Sequence, residues 1–73
     1  MHDLELELVE TVAKLAAARR LRERYFDELR SMRAVGIDST ELERALEDSK
    51  EAIDKLREYR NVLAAELLRT RPI

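Results

Sequence analysis

Two runs of this chain carry mostly apolar residues at alternating intervals of four and three. The first is Leu4, Leu8, Thr11, Leu15, Ala18, Arg22, Tyr25, Leu29 and Met32; the second is Leu42, Leu46, Ser49, Ile53, Leu56, Arg60, Leu63 and Leu67. That spacing holds side chains on one stripe of an α-helix, and sustained over many turns it makes the seam of a coiled coil. Each run predicts a helix of ~30 residues, roughly 45 Å long, which needs a partner because propensity alone does not sustain it. The fold class expected is all-α: a two-helix antiparallel coiled-coil hairpin.

The connection is written into residues 32 to 42, Met-Arg-Ala-Val-Gly-Ile-Asp-Ser-Thr-Glu-Leu. Gly36, the only glycine, marks a helix end in the left-handed conformation, with Ile37 placed to touch Met32. Asp38 is expected to cap the second helix, with Glu41 completing a capping box and Ile37 and Leu42 forming a hydrophobic staple. Asp3 caps the first helix. The expected organisation is one domain over 1–73: helix 1 over about 3–35, a turn at 36–38, and helix 2 over about 39–70, stopped by Pro72.

Charge supports the antiparallel pairing. Residues 19–33 hold six arginines against Glu23, Asp27 and Glu28, while residues 41–55 hold six acids against Arg44, Lys50 and Lys55. A tight hairpin sets these opposite blocks side by side. Exposed ion pairs are each worth a few tenths of a kcal/mol, so the blocks select orientation more than they stabilise.

Composition bounds what such a hairpin can be. A chain of 73 residues buries a modest core and is marginal without a staple. With no cysteine and a single histidine, His2, in the sequence, disulfides and thiolate metal sites are excluded and a zinc site is not expected. Oligomerisation is the staple that remains. No apolar run spans a bilayer and the acidic start lacks the basic residues of a secretion signal, so no membrane partner is expected and the default location is cytoplasmic. A net charge of −2 argues against a nucleic-acid partner, although Arg19, Arg20, Arg22 and Arg24 keep that reading open.

Outside the seam, apolar residues gather toward the end where both termini lie. Helix 1 adds Leu6, Val9, Val12, Ala13, Ala16 and Ala17; helix 2 adds Val62, Ala64, Ala65 and Leu68 at the same level. Near the turn the non-seam positions read as almost all charged. A hairpin cannot cover stripes this wide, and an exposed apolar patch marks an interaction surface. The expected occupant is a second copy, giving a four-helix-bundle homodimer, or a helix of another protein. Of the polar seam residues, Thr11 and Ser49 are candidates for setting register, while Arg22 and Arg60 are expected to snorkel along the seam edge. A Tyr25–Ser49 hydrogen bond is also expected.

Candidate chemistry is sparse. Glu43, Glu47 and Glu51 lie a turn apart, but a bundle metal site of the di-iron kind also needs an inward Glu-x-x-His, which the sequence lacks. No phosphate-binding glycine loop, cysteine nucleophile or placed histidine base is present. The stretch Ser49-Lys50-Glu51-Ala52-Ile53-Asp54 resembles the Ser-Gln-Glu-Leu-Asp motif of small two-helix phosphatases that act on sporulation response regulators. Here lysine replaces glutamine, and one extra residue turns Asp54 by about 100°. In length and two-helix outline the chain is also similar to the hairpin co-chaperones of type III secretion needles. The expectation is no enzyme and no cofactor: a self-associating hairpin that binds another protein as adaptor, small chaperone or inhibitor. A nucleic-acid-binding dimer and a phosphatase-like regulator are the alternatives.

Overall fold

The computed structural model describes residues 3–70; the expectations placed on His2 and Pro72 lie outside the described residues. Two helices, α1 (Leu4–Val35) and α2 (Thr40–Thr70), pack against each other. They run antiparallel: Arg33 meets Glu43 beside the turn, and Glu7 meets Tyr59 toward the far end. The rod measures 59 × 20 × 14 Å. A helix with side chains is about 10–12 Å across, so the protein is one helix thick and two helices wide.

Every seam position of both runs is buried or half-buried. Leu15 (2% exposed), Leu29, Ile53 and Leu63 form the apolar core, joined by Thr11. Thr11 does not reach across the seam: its hydroxyl donates to the Glu7 carbonyl one turn back, at 2.7 Å. Its own helix therefore satisfies a polar group that would otherwise be costly to bury. Arg22 and Arg60 are half-buried at the seam edge. The Arg22 guanidinium lies 5.2 Å from the centre of the Phe26 ring, and Arg60 donates to the Asn61 side-chain oxygen. Tyr25 and Ser49 line one groove with Ala18, Leu21 and Ala45 but share no hydrogen bond.

Of the two charge blocks, Arg33 and Glu43 join across the helices at 3.0 Å. Other ion pairs among the described residues stay within one helix, Arg30 with Asp27 and Arg69 with Glu66. Long arginines reach a carboxylate three residues away on their own helix more readily than one across the seam.

The turn is built from backbone geometry. Gly36 has φ 74° and ψ 23°, the Ile37 N–H donates to the Met32 carbonyl at 2.9 Å, and the Gly36 N–H donates to the Arg33 carbonyl at 3.3 Å. These paired bonds end α1 and satisfy the Met32 and Arg33 carbonyls. The expected capping box does not form. The first bond of α2 runs from the Glu43 N–H to the Ser39 carbonyl, so Ser39 opens the helix and Glu41 is too early to reach back. The Asp38 carboxylate instead accepts from the Thr40 N–H at 3.1 Å and the Thr40 hydroxyl at 2.7 Å. Those two bonds hold its carboxyl below the ordinary value, the hydroxyl contributing more. Asp3 caps α1 as expected, accepting from the Leu6 N–H at 3.1 Å.

A Cβ on Gly36 would meet nothing within 4 Å, so alanine there is penalised by backbone strain alone. Gly36→Ala is expected to cost about 1 kcal/mol and lower the melting temperature by roughly 4–8 °C at fixed chain concentration. Thermal unfolding followed by circular dichroism checks this, and an unchanged melting temperature would show that the turn relaxes into another geometry.

Candidate interaction surface

A 4–3 seam leaves two flanks. In heptad letters, with seam residues as a and d, Arg33 and Glu43 both follow a d residue and sit on the e flank, while Glu7 and Tyr59 both precede an a residue and sit on the g flank. Stepping by heptads from Arg33–Glu43 toward the open end sets Phe26 beside Lys50, Arg19 beside Arg57, and Val12 beside Ala64. Phe26 and Lys50 do line one groove together with Glu43.

At the open end the e flank is apolar. Val9 is 66% exposed and Leu68 73%, and Leu6, Val12 and Val62 are exposed as well. Ala13, Ala17 and Ala65 are exposed, whereas Ala16 and Ala64 are half-buried. Heptad position places Val9, Val12, Ala16, Ala64 and Leu68 on one side of the rod. Leu6, Ala13 and Ala65 continue that surface round the back. Ala17 and Val62 occupy c positions, further round still. The fold thus gathers most of these residues into one band and sets two at its margin.

Against expectation, apolar exposure is not confined to that end. Leu21, Phe26, Val35 and Ile37, all in the turn half, are exposed too. Phe26 (42% exposed) borders grooves lined by Arg19, Arg22, Arg30 and Arg33 together with Glu23 and Asp27. The available signal was its e position: Phe26 follows the seam residue Tyr25 as Val12 follows Thr11.

Exposed surface totals 6070 Å². A compact monomer of this size exposes about 4,700 Å², so the excess is roughly 1,400 Å². That excess follows from a one-layer shape with two open faces.

Chemically the rod offers little convergence. Among the described residues no cluster of three acidic or imidazole side chains is placed to hold a metal ion, and no helix is long and apolar enough to cross a membrane. Ser49 is half-buried in the seam, whereas Asp54 is exposed. Five residues apart, they point about 140° away from each other around α2.

On the g flank the Tyr59 hydroxyl donates to Glu7 Oε1 at 2.9 Å. That bond chiefly, then desolvation and the Glu7 charge, raises the phenol above its ordinary value of 10.0. A raised pKa means the contribution is present below the unfolded value and is lost as pH rises through the folded one. As pH rises through and above the ordinary phenol value of 10.0, the native chain is therefore expected to lose more stability than Tyr59→Phe. Parallel melting curves for the two chains over that range are the check, and identical slopes would remove the bond as a contributor.

Comparison with known proteins finds no family model, curated protein or solved structure that matches this chain.

Proposed function

We propose that this chain is a non-catalytic helical hairpin that pairs with a second copy through its open end, forms a four-helix bundle, and acts by binding another protein. The carrying observation is the apolar band of exposed Val9, Val12 and Leu68 with half-buried Ala16 and Ala64, on a rod one helix thick. Soluble monomers rarely leave contiguous patches of this kind uncovered. A standard interface removes about 800 Å² from each partner, less than the excess of roughly 1,400 Å² that this chain exposes. One self-contact therefore leaves excess surface over, and Phe26 with its surrounding charged residues lies in the turn half, away from the open end. An adaptor, small chaperone or inhibitor would use that remaining surface.

Light scattering on the native chain is expected to give the mass of a dimer. Val9→Glu combined with Ala13→Glu is expected to give a monomer, because each charge would be desolvated at the contact. Val35→Glu, at an equally exposed apolar position beside the turn, is expected to leave the dimer intact. A monomeric native chain, or a dimer indifferent to the paired glutamates, would overturn this reading.

A further inference from the structure

The apolar band on α1 is bounded by opposite charges at heptad intervals. Val12 is at an e position. One heptad before it stands Glu5 and one heptad after it stands Arg19, on the same flank and both exposed. Neither makes a hydrogen bond or ion pair among the described residues. Arg19 is also poorly placed within its own hairpin, because the e-flank ladder sets it beside Arg57. Like charges across a flank oppose folding instead of aiding it.

We infer that two copies pair with their α1 helices antiparallel and a two-fold axis beside Val12, so that Glu5 of each copy meets Arg19 of the other. This rests on the self-association proposed above and fixes its geometry. In the hairpin itself, antiparallel helices bring e to e and g to g, as Arg33–Glu43 and Glu7–Tyr59 do. A two-fold axis beside Val12 sets positions equidistant from residue 12 against each other, so Val12 meets Val12, with Val9 near Ala16 beside it. Glu5 and Arg19, equidistant from the axis, then form two symmetry-related ion pairs closing the ends of the apolar contact. A parallel alignment would set Glu5 against Glu5 and Arg19 against Arg19, so charge selects the antiparallel one. The small side chains of Ala13 and Ala16 let the helix axes approach closely. Only the open halves overlap. Each turn half, with Phe26 and its arginines, projects beyond the bundle.

Sedimentation equilibrium on three variants tests this arrangement. Glu5→Arg and Arg19→Glu are each expected to weaken dimerisation about tenfold, because each replaces two attractions with two repulsions. The combined Glu5→Arg, Arg19→Glu chain, with the same net charge as the native one, is expected to regain dimer affinity to within about threefold. Single reversals without effect, or a double variant no better than the singles, would overturn the arrangement while a native dimer leaves self-association standing. A native chain that sediments as a monomer would overturn both. Circular dichroism of each variant separates loss of helix from loss of contact.

Discussion

Two helices share one line of contact, and nearly everything in this protein follows from that constraint. Along the line, leucine and isoleucine pack and are buried at Leu15, Leu29, Ile53 and Leu63. Around it each helix keeps most of its circumference in water. There is no second layer to receive an apolar flank, so whatever the sequence places beyond the seam stays exposed. At the turn half those places are filled chiefly by charge; at the open half valine, leucine and alanine share them with charged residues.

Polar residues inside the seam are handled locally. Thr11 returns its hydroxyl to its own helix. Arg22 lays its guanidinium over Phe26, although its Nε is buried without a hydrogen-bond partner. Arg60 leans out to Asn61. None of these bonds crosses to the other helix, so the register between α1 and α2 rests on apolar packing, on the short turn, and on the two flank contacts Arg33–Glu43 and Glu7–Tyr59.

How much of this was legible beforehand depends on the range of the interaction involved. The seam was fully readable, because a 4–3 repeat is a property of spacing alone. Gly36 was readable because a left-handed residue at a helix end has few occupants. The cap of α2 falls on Ser39, one residue after the expected Asp38, since Asp38, Ser39 and Thr40 can each act as a cap and only their competition decides. Phe26 was missed because an aromatic one step beyond the seam reads as core until the partner helix is in place. Tyr59–Glu7 was invisible for a related reason: it joins residues 52 positions apart, and only the register brings them together. The open-end residues were readable as an apolar surplus, but their grouping into one band with Ala17 and Val62 at its margin required the flanks to be distinguished.

The four-residue connection around Gly36 also imposes an order on assembly. Joining Arg33 to Glu43 closes a loop of 10 residues, while joining Glu7 to Tyr59 closes one of 52. The longer loop costs about 1.5 kcal/mol more in chain entropy if closed first. The hairpin therefore zips from the turn outward, and its far end is the last to close and the first to fray. That far end is also where the apolar band lies, so any molecule that grips both helices there lengthens the lifetime of the closed rod. Binding at that end would draw on the same few residues that complete folding.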